Sequence, residues 1–562
     1  MIILGIAGLF HDAAAALVRD GELVAFVEEE RLLRQKHAHG QFPHHAIRWC
    51  LDQADLDFRD VDYLAFYYDV DRSLLYDWRV EPFYSGFRQQ PRDLFGYMQN
   101  LQLIKTYVEA YAAAVGVKLA VIDHHDCHLA AAFFLSPFAQ ANVVSLDARG
   151  ETVTAVLAKG EGASLTRLRE IPMPHSLGML YSAVTQFLGF APLDGEGSVM
   201  GFASYGEDRF AEAFAEMVTP TAEGFVTRPE CYWSRATVGW LSHIPNGLTR
   251  FFGEPRPYRA HPFNDIDEHI AASLQAQTER IGAHLFTLLA QETGWRDFCL
   301  AGGVALNAKM NGELLTHPDV DRLYVPPVSN DPGCAIGAAY LLYARLTGKR
   351  PRPLAHAYWG PQYSNDAIRA ALEQAGVRYA PCADVASYGA ERLAEGKILG
   401  WFQGRMEMGP RALGNRSILA HPSHPSLLDM KDLVNNKVKH REPWRPFGPS
   451  VLAEQRARYF VDAPDAPFMT KALRTTPEGQ RALAASVHVD GTARAQTVTA
   501  EANALYHALI SEFGKRTGVY GVLNTSFNLK GQPIVHTPLD AITMFCTTEM
   551  DELILGDFVV RR

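Results

Sequence analysis

The segment Asp123-His124-His125-Asp126-Cys127-His128 concentrates more potential chemistry than any other stretch of this chain. It follows an apolar run at 119–122 that reads as a buried strand. It leads into a second apolar run at 129–134 that reads as a buried helix. His124 and His128 are therefore four apart at a helix start, which places both imidazoles on one face. Two imidazoles so placed can grip a transition metal. The same spacing also serves histidines that merely cap and pack a helix start, so both readings stay open.

A second concentration lies in the last third of the chain. Residues 404–417 carry Arg405, Arg411 and Arg416 among glycines and a proline. Lys437, Lys439, His440, Arg441 and Arg445 follow, then Arg494, then Asn524-Thr525-Ser526-Phe527-Asn528 behind an apolar strand at 519–523. Guanidinium forks match phosphate oxygens, and lysine adds a mobile point charge. Hydroxyl and amide groups at a strand end can complete such a pocket. The alternative is a solvated surface with ordinary ion pairs.

Elements that could position these groups can be read from the pattern. Strands are expected at 2–7 and 13–19, with Asp20-Gly21 turning into a third at 23–27. A like pattern follows at 143–147 and 152–157, joined by the turn 148–151. Sliding the chain by 140 residues places Ile6 on Leu146 and Leu17 on Leu157. This weak repeat suggests two related halves facing a cleft, as in actin-like ATPases and sugar kinases. An apolar strand runs into Gly302-Gly303 and on to Asn307, where glycines let a backbone approach a nucleotide. The stretch 329–339 opens a small-residue helix whose N-terminal amides could attract an anion. Tight helix–sheet packing explains both glycine runs equally well. The Pro-rich stretch 350–354 marks a boundary. Helices at 365–375 and 385–395 and a strand at 398–402 follow it.

At 562 residues the chain has room for two to four domains, and with 48% apolar and 21% charged residues it can build sizeable cores. A formal charge of −10 and a pI of about 6.1 argue against general attraction to nucleic acid or anionic membrane, but not against a local basic pocket. Seven scattered cysteines without Cys-x-x-Cys spacing read as reduced thiols in a cytoplasmic protein. The N-terminus reads as a strand rather than a signal peptide. No apolar run approaches the roughly 20 residues needed to span a bilayer.

Taken together, the motifs resemble those of the O-carbamoyltransferases of antibiotic and nodulation-factor biosynthesis, the tobramycin carbamoyltransferase type. The markers are Phe10-His11-Asp12, Glu28-Glu29-Glu30-Arg31, His124-x-x-x-His128, Gly302-Gly303-Val304-Ala305-Leu306-Asn307, Gly409-Pro410-Arg411-Ala412-Leu413-Gly414, Arg441-Glu442-Pro443-Trp444-Arg445-Pro446-Phe447 and Asn524-Thr525-Ser526-Phe527-Asn528, spread over essentially the whole chain. The resemblance implies an α/β protein with a duplicated, actin-like ATPase domain at 1–350. A connecting segment at 351–384 and a YrdC-like α/β domain at 385–562 would follow. The C-terminal site would make carbamoyl adenylate from carbamoyl phosphate and ATP. The N-terminal site would pass the carbamoyl group to a hydroxyl of a small-molecule natural product.

Carried over by residue, His124, His128, Asp147 and Asp331 match the metal ligands, with Fe(II) implied. Fe, Mn and Zn all suit two nitrogens and two carboxylates. Gly302, Gly303 and Asn307 would line an adenosine site, and His11 matches a general base. Lys439, Arg494, Ser526 and Asn528 match carbamoyl phosphate and ATP contacts, with Arg411 and Arg416 as phosphate neighbours. Mg beside the nucleotide is a further option. One departure stands out: Ser198 occupies the place of the lysine usual in the family's Gly-Lys-Val-Met-Gly segment. Aromatic residues within 70–115 and 205–265, and Tyr67 and Tyr68 just before, are expected to shape the acceptor pocket. They are Tyr76, Trp78, Phe83, Tyr84, Trp233, Trp240, Phe251 and Phe252. An actin-like sugar kinase with an accessory domain and an ATP-switched binding protein are the alternatives. No nucleic acid or membrane partner is expected, and the oligomeric state is open, a homodimer included.

Overall fold

The computed structural model describes residues 1–79, 91–232, 246–260, 262–424, 430–442 and 444–562, without the side chains of 76–79, 91–97 and 246. The chain divides into two compact units. The first is Met1–Ala25 with Gly40–Pro353, and the second is Phe26–His39 with Leu354–Arg562. Residues from Leu354 on, which the sequence reading assigns to a connecting segment, thus group with the second unit.

The first unit holds two five-stranded sheets. One is built from β1 (Ile2–Ala7), β2 (Ala14–Arg19), β3 (Glu22–Glu28), β4 (Tyr63–Phe66) and β5 (Lys118–Val121), in the order β3-β2-β1-β4-β5. The other uses β6 (Gln140–Leu146), β7 (Val153–Glu161), β8 (Ser164–Pro172), β11 (Asp297–Ala301) and β12 (Arg322–Tyr324), in the order β12-β11-β6-β7-β8. A separate hairpin joins β9 (Val218–Thr221) to β10 (Gly224–Thr227). Read from the meander outward the two orders coincide: β1 pairs parallel with β4 and β4 with β5, as β6 does with β11 and β11 with β12. Even the register repeats. Ile6 faces Ala15 across the first hairpin, and Leu146 faces Ala155 across the second, 140 residues on. This is the duplicated strand order of the actin-like class.

The central strands β1 and β6 are buried along nearly their whole length and mostly apolar, as strands covered on both faces are. The helix Pro332–Thr347 packs on β1, β2 and the helix His124–Leu135. A Cβ on Gly337 would meet the Cys127 carbonyl oxygen at 1.9 Å, so only glycine lets these two helices approach this closely. That contact places Asp331, at the start of one helix, against the first turns of the other.

The second unit is an α/β/α sandwich. Its eight-stranded sheet runs β13-β22-β21-β14-β15-β20-β16-β19. The strands are β13 (Tyr379–Pro381), β14 (Leu399–Phe402), β15 (Arg416–Ala420), β16 (Gly448–Leu452), β19 (Gln496–Val498), β20 (Gly521–Ser526), β21 (Glu552–Leu555) and β22 (Phe558–Arg561). A small ribbon pairs β17 (Ala472–Arg474) with β18 (Thr492–Arg494). Alternation along β14 sends Leu399 and Trp401 to one core and Phe402 to the other. Helices Val385–Ala394 and Ala504–Thr517 cover the first face. Helices Asn365–Ala375 and Pro538–Thr547 cover the second. No helix among the described residues is long and apolar enough to cross a membrane.

Gly337→Val should destabilise the protein by about 3 kcal/mol in urea unfolding, because neither helix can yield without opening the core. Gly197→Ala, whose Cβ would point into open space, should leave the midpoint near wild type.

Candidate functional site

In the first unit the candidate site gathers at the carboxyl ends of parallel strands, where α/β sheets place their ligands. His124 and His128 project from the first turns of their helix, which the Asp123 side chain caps by accepting from the Asp126 amide at 3.1 Å. Asp147 follows β6, and Asp331 opens the helix Pro332–Thr347. One ligand atom from each of the four lies within 4.8 Å of the others. His124 Nε2 and His128 Nε2 are 3.2 Å apart and lie 3.1 and 2.9 Å from Asp147 Oδ2. Asp331 Oδ1 lies 3.9 and 3.7 Å from the same nitrogens. Ligands on a sphere of ~2.1 Å radius are spaced by roughly 3.0 to 3.4 Å, so the donor set fits a first-row divalent metal.

The electrostatics agree with that fit. Burial alone would push His124 down, yet its bond to Asp147 and the charges of Asp331, Asp147 and Glu151 lift it to about 9. His128 is raised in the same way. Burial works to raise Asp147, but the two imidazoles hold its carboxyl well below the usual range. The cluster thus draws positive charge into a buried place, as protons or as a metal. His125 does not join it. Burial drives that ring down to about 3, and its nitrogens reach Ser145 Oγ and the Val153 carbonyl. Cys334 also lies beside the two histidines, but burial keeps its thiol protonated.

Around this cluster the predicted neighbours take up local duties. Gly302 has φ +93°, and a Cβ there would lie 2.2 Å from the Leu146 carbonyl oxygen, so packing on β6 requires glycine. Gly303 donates its N–H to Asp147 Oδ1 at 3.1 Å. Asn307 caps the helix Ala308–Leu315 and exchanges hydrogen bonds with Gln275. His11 Nδ1 lies 2.9 Å from Asp12 Oδ2, which also accepts from Asn330 Nδ2 at 3.2 Å. Ser198 is buried in the helix Glu196–Phe202.

Sequence reasoning missed Glu151. Its Oε1 accepts from the amides of Asp69 and His124 at 2.7 and 2.9 Å, and burial raises it to about 7. Its only signal was its place in the hairpin turn. Of the expected acceptor-pocket aromatics, Tyr67 and Tyr68 pack beside Phe10 and His124. Phe252 packs on Phe187, Phe210 and Phe214, and Phe251 on Phe252. Phe83, Tyr84, Trp233 and Trp240 lie outside the described residues, as do the side chains of Tyr76 and Trp78.

The second unit brings together most of its predicted cations. A five-residue π-turn, Asn435–Lys439, presents Lys439, whose Nζ donates to Asn528 Oδ1 at 2.9 Å and to the Ser526 and Asn528 carbonyls at 2.8 and 2.7 Å. Ser526 Oγ donates to the same Asn528 oxygen at 2.6 Å. Burial, with Arg441 and Arg445 nearby, holds Lys439 well below the usual lysine range. Arg494 is depressed by burial and by Arg411, Arg441 and Arg445, and Arg411 falls to about 10 through burial and Arg445. Among the described residues the side chains of Arg411 and Arg494 make no hydrogen bond or ion pair. Crowded cations without acids are a cost unless an anion occupies the space between them.

Arg416 departs from expectation. Its guanidinium donates to the carbonyls of Gln403, Gly404, Asn415 and Pro361 and lies 3.7 Å over the Phe402 ring, shut off from solvent. Its two terminal nitrogens brace the loop from within, and only Nε is left without a partner among the described residues. Spacing could not reveal this, because Arg416 begins β15 and points to the core.

Two sheets of one strand order with a His–Asp cluster, followed by an α/β sandwich that holds a cluster of arginines, define a two-part protein with an actin-like first half. Sequence comparison gives the family. The model described as Carbamoyltransferase N-terminus matches residues 2–340, and the model described as Carbamoyltransferase C-terminus matches 390–562. The chain belongs to the carbamoyltransferase family and is an enzyme. It is 36% identical to the nodulation protein NolNO of Sinorhizobium fredii, over 98% of this chain and 79% of that one. It is 32% identical to the 3'-hydroxymethylcephem-O-carbamoyltransferase of Streptomyces clavuligerus, over 47% and 48% of the two chains. A Synechocystis protein is 38% identical over 100% of this chain and 96% of its own. Among solved structures, HypF in its phosphate- and nucleotide-bound form matches at a TM-score of 0.33 and 13% identity, covering 62% of this chain and 56% of that one. Component A of the Acidaminococcus fermentans (R)-2-hydroxyglutaryl-CoA dehydratase matches at 0.32 and 16%, covering 61% and 98%. At those scores the fold assignment rests on strand order alone.

Asp147→Asn should lower the metal retained after loading with Fe(II), Mn(II) or Zn(II) and dialysis by about tenfold or more, read as metal per chain by mass spectrometry. Retention equal to wild type would count against the four-ligand site.

Proposed function

We propose that the protein is an ATP-dependent O-carbamoyltransferase acting on a small-molecule alcohol, with a YrdC-like second unit that makes carbamoyl adenylate. The observation that carries this reading is the pair Arg411 and Arg494, cations without acids, which share the neighbours Arg441 and Arg445 with the Lys439–Ser526–Asn528 turn. Carbamoyl phosphate and ATP together bring enough negative charge to offset such a cluster. The kinase and binding-protein alternatives give no reason for it.

The chemistry balances as follows. Water releases phosphate from carbamoyl phosphate, leaving carbamate. A carbamate oxygen displaces pyrophosphate from the α-phosphorus of ATP, giving carbamoyl adenylate. The arginines hold the departing charge, which is electrostatic stabilisation by preorganised donors. At the first unit the acceptor hydroxyl oxygen attacks the carbamoyl carbon, and the bond to AMP breaks. The hydroxyl proton passes to His11 Nε2, because Asp12 holds the Nδ1 side of the ring and fixes the tautomer. A metal, Fe(II) in this reading, held by His124, His128, Asp147 and Asp331 would supply fixed positive charge for nucleotide phosphate. Gly302, Gly303 and Asn307 would line the nucleotide beside it. Once one water has released the phosphate, excluding further water matters wherever the mixed anhydride is held, since it hydrolyses readily.

The test is incubation with ATP, carbamoyl phosphate and a panel of natural-product alcohols, read by mass for carbamoyl addition and separately for pyrophosphate. Arg494→Met should cut carbamoyl phosphate-dependent pyrophosphate release by about a hundredfold. His11→Ala should keep that release and lower carbamate ester formation by about a hundredfold or more. Equal loss of both steps in the His11 variant would contradict the division of labour.

A further inference from the structure

The run Glu28-Glu29-Glu30-Arg31 has no part in the chemistry above, yet three of its four charged side chains are buried: Glu28 at 5%, Glu29 at 1% and Arg31 at 2% exposure. Burying charge is costly unless each group is well bonded. For Glu28 and Arg31 the bonds explain the burial. Glu28 Oε1 accepts from the Gly409 amide at 2.8 Å, and Arg31 Nη2 donates to the Gly409 carbonyl at 2.8 Å. Arg31 also lies 3.5 Å from Glu28 and 3.2 Å from Glu30. Side chains thus satisfy both backbone groups of one residue, a glycine at φ +85°. Two residues further on is Arg411.

The same short helix, Glu29–Leu33, reaches a second loop. Arg34 donates to the Pro533 and Ile534 carbonyls and faces Asp540. That loop returns to the anion turn, because Asn528 Nδ2 donates to the Gln532 carbonyl at 2.6 Å. From the other side Glu407 Oε1 gathers the amides of Leu413, Asn415 and Arg416. Arg411, Arg441, Arg445 and Arg494 repel one another, so without an anion the loops that carry them tend to part. The clamp opposes that tendency.

We propose that Glu28 and Arg31 are positioning residues of the adenylate-forming pocket, clamping Gly409 so that Arg411 stands ready for an anion. The inference rests on the reading of the arginine cluster as that pocket. Loss of the clamp then weakens anion binding more than it slows chemistry.

The experiment uses the full chain and two readouts: the ATP dependence of pyrophosphate release, and calorimetric binding of inorganic pyrophosphate. Glu28→Ala should raise the ATP KM and weaken pyrophosphate binding by about tenfold or more, with kcat within about threefold of wild type. Glu28→Gln keeps an oxygen for the Gly409 amide and should restore most of the affinity. Wild-type affinity in Glu28→Ala overturns the proposal, as does a loss that falls on kcat alone. Arg31→Lys, which keeps the charge but cannot reach Glu30 and the Gly409 carbonyl together, decides the matter if Glu28→Ala does not fold. A raised KM at unchanged kcat upholds the clamp, and a wild-type KM overturns it. A wild-type protein that releases no pyrophosphate sinks the proposed activity instead, and the calorimetric comparison still tests the clamp.

Discussion

The first unit depends on one close approach, the Gly337 backbone against the Cys127 carbonyl. His124 and His128 begin one of the two touching helices, and Asp331 begins the other. Bringing the axes together there sets the carboxylate of one against the imidazoles of the other, and the Arg345–Asp126 ion pair at 2.9 Å ties the same two helices further along. Asp147 and the Gly303 amide arrive independently, on the neighbouring ends of β6 and β11. The ligand geometry is therefore a by-product of close packing, and interiors this dense hold such positions to a fraction of an ångström.

The two units solve opposite charge problems. In the first, carboxylates press against imidazoles until the site holds protons or takes a metal. In the second, Arg411 and Arg494 crowd against Arg441 and Arg445 with Glu442 facing only the latter two, and a buried lysine is spent largely on backbone carbonyls. One site is short of a cation and the other of an anion. That contrast suits an enzyme that assembles an activated group from anionic substrates in one place and handles a nucleotide through a metal in another.

Much of the fold was legible in the chain. The two hairpins, the 140-residue repeat and the helix over 365–375 follow from period-two alternation, turn residues and apolar runs, which are local signals. His124 and His128 could be picked out from spacing, but Asp147 and Asp331 could not. They meet the histidines only through long-range packing, and the family resemblance supplied them. Arg416 shows the limit of composition. An arginine among glycines reads the same whether it faces a ligand or a ring of carbonyls. Glu28 and Arg31 were visible as a motif, but nothing local could show that they grip a backbone far along the chain. Glu151 left no pattern, because a single carboxylate in a turn is usually solvated.

The second unit takes its brace from near the amino terminus and everything else from beyond Leu354. Arg31 and the carbonyl it holds are 378 residues apart in sequence. At about 5–20 residues per second, roughly 20 to 75 s of synthesis separate them on the ribosome. During that interval β3 can already pair within the first sheet while the charged run that continues it waits in water. A contact of such sequence separation belongs to the class whose loop-closure cost slows folding, so the second unit's topology is non-local in a way its own compact sheet does not suggest.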